Sequence, residues 1–348
     1  MDEDDSPTPS PAERLAGLVP DDGAAGDADD AAACVERLGR APADDRKEAL
    51  RALREAADDP AAAAAFEPLA PPLAGFLDDP ERPVRLAAAK LFVAVAEADP
   101  DAAVGAVPAL ADRLADDDEF YYVRARSAEA LGYVALDYPD AVTSPAVLAD
   151  LRVGLAFDEP EVTEKLAKAL ALVAVGDPAR LAHGASTLAD HLDDGAELVR
   201  YHLCTALVAV GCERPTALDA ARDALVGALD DDCPQVRGRA AEALGVLARA
   251  DADGLDPSTR DALAALRDDG TAFVAERAAF AVRIDGDTAD AADAADETPD
   301  RVGSVAAVRA TTSDAVAAIT APDDDCSRCG LALPGAGPPM CPRCGAPR

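Results

Sequence analysis

The residues best suited to chemistry lie near the C-terminus. In CSRCG and CPRCG, Cys326, Cys329, Cys341 and Cys344 form two Cys-x-x-Cys-Gly knuckles. Each knuckle offers two sulfurs to one ion, and Gly330 and Gly345 let the backbone turn tightly beneath them. Four thiolates in a tetrahedron favour Zn2+ and leave no open position for a substrate water, so the implied site is structural. A redox dithiol or a tetrathiolate iron centre is the competing chemistry, and the second matching knuckle favours zinc. Residues 326–348 also hold Arg328, Arg343 and Arg348 and no acidic side chain. That charge suits docking on an acidic surface or a phosphate backbone, and equally a small metal-folded tether.

Elsewhere the chemistry is sparse. The three histidines, His183, His191 and His202, pair with no nucleophile in a recognisable motif, and Cys34, Cys204, Cys212 and Cys233 are scattered through predicted helices and turns as reduced thiols. The reading is of a protein that is not an enzyme and takes no small-molecule substrate.

What must position any functional surface is a repeat. In DDDCPQVRGRAAEALGVLARA, residues 230–250, Asp231 and Asp232 suit a cap and Pro234 suits a first helical turn. Val236, Ala240, Ala243, Leu244 and Leu247 then fall on one face at spacings of three and four. The preceding segment puts Leu218, Ala221, Leu225 and Leu229 on one face, so the two make a hairpin whose apolar side needs a neighbour. The leucine ending each first helix recurs as Leu77, Leu114, Leu155, Leu192, Leu229 and Leu266, at intervals of 37, 41, 37, 37 and 37. The valine opening each second helix keeps pace as Val84, Val123, Val162, Val199, Val236 and Val274. Arginine follows in four of the six, and an aspartate stands six residues before each of these arginines: Asp79 and Arg85, Asp118 and Arg124, Asp194 and Arg200, Asp231 and Arg237.

This Asp-turn-Val-Arg-x-x-Ala arrangement resembles the HEAT family, particularly its short HEAT-like (phycobilisome-lyase-type) branch, over residues 60–284. The resemblance implies an all-α fold, an α-solenoid, with the four Asp and Arg pairs forming a ladder between stacked turns. Thr163 and Ala275 occupy the arginine position in two repeats and should interrupt it. Residues 326–348 resemble the small zinc-ribbon modules, although the 11-residue gap between the knuckles is short.

In a HEAT-like stack the second helices line the concave side. Helical phase then puts Lys90, Tyr122, Arg126, Glu129, Tyr133, Glu161, Lys165, Lys168, His202, Gln235, Arg239, Glu242, Phe273, Arg277 and Phe280 on a stripe facing that groove. Six of these are basic and three acidic, which reverses the sign of the chain as a whole. Aromatic and arginine side chains together are what protein-binding hot spots use. Tyr122, Arg126, Tyr133, Lys165, Lys168, Arg239 and Arg277 are therefore the candidate contacts for an acidic partner segment, ordinary inter-repeat salt bridges being the alternative.

The 348 residues carry 67 acidic and 32 basic side chains, a formal charge of −35, with 49 Asp, 18 Glu and only four lysines. Surplus aspartate with scarce lysine resembles a halophilic protein, whose carboxylate surface stays hydrated in a cytoplasm of very high salt. At about 1 M salt the Debye length is about 3 Å, so self-repulsion is screened. With 12 Phe and Tyr and no Trp, the core must be built from Ala, Leu and Val.

The expected organisation is a disordered acidic arm over 1–27, a solenoid over 28–284 with an atypical N-terminal capping pair and six repeats, an acidic linker over 285–325, and a zinc ribbon over 326–348. Val302, Val305, Val308, Val316 and Ile319 within the linker fit either a loosely docked helix or disorder. The acidic start lacks a signal peptide's basic and apolar regions, and no apolar run reaches the ~20 residues of a spanning helix, so a cytoplasmic location without membrane contact is expected. The leading functional reading is a scaffold or adaptor that binds a protein partner through the concave face, with the ribbon as a second contact. A nucleic-acid-associated factor is the alternative. A lyase-type enzyme subunit rests only on the name of the HEAT-like branch.

Overall fold

The computed structural model describes residues 28–250, 254–286 and 301–320, and the knuckle cysteines and the N-terminal arm lie outside them. Among the described residues there are helices and turns and no strand. Helices of twelve residues or more are numbered in chain order: α1 Ala28–Gly39, α2 Ala43–Ala57, α3 Arg82–Ala98, α4 Tyr121–Ala135, α5 Pro160–Gly176, α6 Glu197–Glu213, α7 Pro234–Ala248, α8 Ala272–Gly286 and α9 Val305–Thr320. The chain divides into two compact units, Met1–Asp177 and Pro178–Arg348.

Each of α3 to α8 follows a shorter first segment, such as Val107–Ala115, Pro145–Val153 or Pro257–Leu266, and the pair makes one hairpin. Several first segments break into short α and 3-10 pieces where Pro68, Pro71, Pro72 or Pro215 removes a backbone donor. Short side-chain caps open others: Ser144 accepts from the Val147 amide at 3.2 Å, and Asp256 from Ser258 and Thr259 at 3.0 and 3.1 Å. The long helices form the second layer. In the first unit α2 packs on α3, α3 on α4 and α4 on α5; in the second, α6 packs on α7 and α7 on α8.

The repeated valines explain the stacking, since all six are fully buried between hairpins. Small residues let the helices approach closely: a Cβ on Gly132 would stand 2.7 Å from the Ala169 Cα, and one on Gly245 2.8 Å from the Ala281 Cα. Residues of this size give a low-aromatic core its density without large side chains.

The ladder is present, with a definite wiring. Arg85, Arg200 and Arg237 each reach forward to the carboxylate of the next turn while their Nη1 bonds a carbonyl of their own turn. Arg200 meets Asp231 through two hydrogen bonds, at 2.6 and 2.8 Å, and Arg237 meets Asp269 at 2.8 Å. Arg200 also donates to the Asp194 carbonyl and Arg237 to the Asp231 carbonyl. The acid facing Arg85 is Glu119 (2.6 and 2.9 Å), not Asp118. Arg124 turns instead to Asp117 and the Leu114 carbonyl, with its guanidinium 5.1 Å from the Phe157 ring centroid. At Thr163 the ladder is interrupted: the hydroxyl donates to the Phe157 and Glu159 carbonyls of its own turn and supplies no charged rung to the next. At the other end Arg46 of α2 supplies the first rung, to Asp79 at 2.8 Å, so the N-terminal pair joins the ladder without the Val-Arg signature.

Of the two readings of residues 301–320, a docked helix or disorder, the structure has the docked helix. These residues form an ordered turn and the helix α9, which packs on α6 and covers the exposed edge of the second layer in the second unit. Its buried face is Ala307, Val308, Ala315 and Ile319, whereas Val305 and Val316, which suggested a helix from sequence, are only half-buried.

Candidate functional site

The predicted stripe does lie on one layer within each unit, and the two units use it differently. In the first unit, Glu129 of α4 is the centre of a polar node. Its carboxylate accepts from Arg126 Nη1 at 2.7 Å and from Lys168 Nζ of α5 at 2.9 Å, with Lys165 Nζ at 3.8 Å. Tyr133 donates its hydroxyl to Glu97 at 2.6 Å and accepts from Lys168 at 2.7 Å. Tyr122 donates to Glu161 at 3.0 Å, and Lys165 also pairs with Glu164 at 2.7 Å. Burial alone would raise the Glu129 pKa, but Lys168, Lys165 and Arg126 hold it below the ordinary carboxylate range. Burial, then the bond to Glu97, pushes the Tyr133 phenol far above its ordinary value, so it stays a donor. Three cations thus share one buried carboxylate.

Beside this node lies a set of cations with no such partner. A groove of about 410 Å3 is lined by Lys47, Arg51 and Arg54 of α2 and by Pro83, Leu86, Ala87 and Lys90 of α3. Lys47 pairs with Asp44 at 2.9 Å, but no carboxylate among the described residues lies within ion-pair distance of Arg51, Arg54 or Lys90. Burial, then the like charges of Arg126, Arg54 and Arg51, pulls the Lys90 ammonium below the usual lysine range. Pro83, Ala87 and Lys90 follow the predicted phase. The α2 residues were missed because that pair lacks the Val-Arg marker. The signal was nevertheless there, since Lys47, Arg51 and Arg54 stand at i, i+4 and i+7 in RKEALRALREAA. At the mouth of the next hairpin Phe120, Tyr121 and Tyr122 form a ring cluster with centroids 4.6 to 5.4 Å apart, and Arg82 lies 4.5 Å from the Phe120 centroid.

In the second unit the equivalent stripe is covered. Gln235 is half-buried, and Arg239, Glu242, Arg277 and His202 are buried, so they are not open to a partner as the helical phase alone suggests. The cover is α9. Arg239 Nη1 and Arg277 Nε both donate to Glu242 Oε2, at 2.7 and 3.0 Å. Arg239 Nη2 faces the Val308 carbonyl and the hydroxyls of Thr311 and Thr312 at 3.0 to 3.3 Å. The Arg277 guanidinium carbon lies over Phe273, 3.4 Å from the ring centroid. The Glu242 carboxylate, opposed by burial, is held below its ordinary pKa by Arg239 and Arg277.

Three of the cysteines of the array, Cys204, Cys212 and Cys233, offer little reactivity. Burial pushes the Cys204 and Cys212 thiols up to about 12, and Cys233 is raised as well. Among the described residues no group of three or more His, Cys, Asp and Glu is placed to hold a metal ion, and no helix is long and apolar enough to cross a membrane.

No family model and no curated protein matches the chain. Solved structures do. The designed armadillo repeat protein YIII(Dq)4CqI superposes with a TM-score of 0.53 at 21% identity, covering 62% of this chain and 99% of its own. An engineered protein of the Northeast Structural Genomics Consortium, target OR497, has a TM-score of 0.53 at 20% identity, covering 89% and 92%. A third, the designed armadillo repeat protein YIII(Dq.V1)4CPAF, was solved in complex with the peptide (KR)4 and matches at TM-score 0.53 and 21% identity, covering 62% and 98%. These likenesses define the class of fold: a helical repeat solenoid of armadillo- or HEAT-like hairpins.

Proposed function

We propose that the chain is a non-catalytic scaffold that binds an acidic segment of a protein partner on the second-helix layer of its first unit. The observation that carries this reading is the groove where Arg51, Arg54 and Lys90 face one another without a carboxylate, in a chain of net charge −35. Clustered like charges on a partly buried surface are mutually destabilising, and an anionic occupant relieves that repulsion. The Glu129 node extends the positive surface through Arg126, Lys165 and Lys168, and the Phe120 cluster supplies aromatic contact area beside it. A repeat scaffold of the same fold class is found with a peptide of opposite charge, (KR)4. The raised thiols of Cys204 and Cys212 fit a protein that does no covalent chemistry through them.

The ribbon formed by Cys326, Cys329, Cys341 and Cys344 around Zn2+ is proposed as a second contact, adding to the first through effective concentration. The test is fluorescence anisotropy of a labelled ten-residue Asp/Glu peptide against the full chain, in moderate and high KCl. Reversing two charges, Arg51→Glu with Arg54→Glu, should weaken binding by at least about tenfold while circular dichroism stays unchanged. Equal binding by both proteins would remove the groove from consideration. Tighter binding of a single-stranded oligonucleotide of the same charge would favour the nucleic-acid reading instead.

A further inference from the structure

We infer that the second-helix layer of the second unit is a helix-binding seat, that α9 is its resident occupant, and that the seat prefers a helix carrying a carboxylate where α9 carries Thr311. The inference goes beyond the proposed function: the surface is different and the ligand is a helix.

The seat is built from charge. Arg239, Arg277 and Glu242 lie side by side in the layer, and Arg249 flanks them, so the cations outnumber the carboxylate. The resident neutralises none of the excess. Arg239 Nη2 carries two hydrogens and is presented with four acceptors: the Tyr201 hydroxyl, the Val308 carbonyl and the hydroxyls of Thr311 and Thr312. Three of those distances are 3.3 Å, and Arg277 Nη2 reaches Thr311 only at 3.3 Å. Arg239 Nε is buried with no partner even with the helix in place. Both threonine hydroxyls spend their own protons on α9, donating to the Ala307 and Val308 carbonyls at 2.7 Å, so they present only lone pairs to the guanidiniums. A carboxylate at this position would accept from both arginines in charge-assisted bonds, which are roughly twice as strong as neutral ones.

The apolar contact of α9 is small as well, with two alanines among its four buried side chains. The firm hold is at its entrance. Gly303 donates its amide to Glu242 at 2.8 Å and accepts from Arg249 Nη1 at 2.7 Å, with a φ of +84°. A Cβ there would collide with the Phe280 ring and stand 2.7 Å from Arg249 Nη2, so this latch requires glycine. Gly303 lies outside the array, separated from α8 by sixteen residues of sequence, so the latch can be broken without altering any residue of the stack.

The experiment uses the full chain and two synthetic peptides, residues 301–320 as they stand and the same peptide with Thr311→Asp. In the Gly303→Ala chain, amide hydrogen exchange of 305–320 should accelerate while that of α7 and α8 does not. Both peptides should then bind at least about tenfold more tightly than to the wild-type chain, whose seat is occupied. The Thr311→Asp peptide should bind about tenfold more tightly than its parent. Placed in the full chain, Thr311→Asp should slow exchange of 305–320. Exchange of α7 and α8 rising together with that of 305–320 would make α9 an integral layer of the fold and overturn the inference. So would peptides that fail to bind the released chain, a Thr311→Asp peptide no tighter than its parent, or unchanged or faster exchange in the Thr311→Asp chain.

Discussion

Glu129 and Glu242 stand at the same repeat position, six residues after Val123 and Val236, and each is ringed by cations from its own helix and the next. Replacing each with Gln removes one negative charge at nearly constant volume. The consequence should differ because the surviving cations differ in their access to water. Around residue 129, Arg126, Lys165 and Lys168 keep 31, 20 and 23% of their side-chain surface exposed and can rehydrate. The loss there is that of partly exposed pairs, about 1–2 kcal/mol. Around residue 242, Arg239 and Arg277 keep 0 and 3%. Two guanidiniums without a counter-charge under a helix should cost about 3–5 kcal/mol.

The assay is urea denaturation of the two variants and the parent in 3 M KCl, followed by circular dichroism, with hydrogen exchange assigning each transition to a unit. The salt screens exposed pairs and leaves buried ones, so it widens the contrast. Both carboxylates are held below the ordinary glutamate value of about 4.3. Each therefore contributes stability above that pH that is lost as pH falls through its folded value. Each Gln variant should lose that acid-dependent part. Combining Glu242→Gln with Gly303→Ala should cost less than the two changes added, because releasing α9 lets water reach the arginines. Equal effects at 129 and 242, or a milder effect at 242, would refute the idea that cover by α9 sets the energy of the seat.

Three further outcomes follow from named contacts. Asp231→Ala removes both the acceptor of Arg200 and the carboxylate that bonds the Cys233 amide at 2.8 Å, and should cost about 2–3 kcal/mol in the second unit, measured by the same urea titration. With 67 acidic residues against 32 basic ones, thermal stability should rise steadily between about 0.1 and 3 M KCl, and a flat salt dependence would discount the halophilic reading. Cys341→Ser should abolish bound zinc, measured by elemental analysis of the purified chain, while the melting of the array is unchanged.

The array was legible because its cause is local and periodic. A valine that must be buried every 37 to 39 residues, an aspartate turn before it and an arginine after it leave a regular trace, and the long helices and most rungs of the ladder follow from that trace. Two parts were not legible, for different reasons. The rung at Arg46 and the cations of α2 belong to a pair without the marker, and only the i, i+4, i+7 spacing of Lys47, Arg51 and Arg54 betrays their common face. The cover over Arg239 and Arg277 is invisible to helical phase altogether. Phase assigns residues to one side of a helix, but whether that side meets water depends on what folds back across it. Here the covering helix binds through Ala307, Val308, Ala315, Ile319 and two threonine hydroxyls, of which only Val308 and Ile319 belong to the pattern that marks it in sequence. An arginine facing outward in the repeat thus becomes the most deeply buried cation among the described residues of its unit, and the same buried glutamate position whose cations keep contact with water in one unit has cations sealed from it in the other.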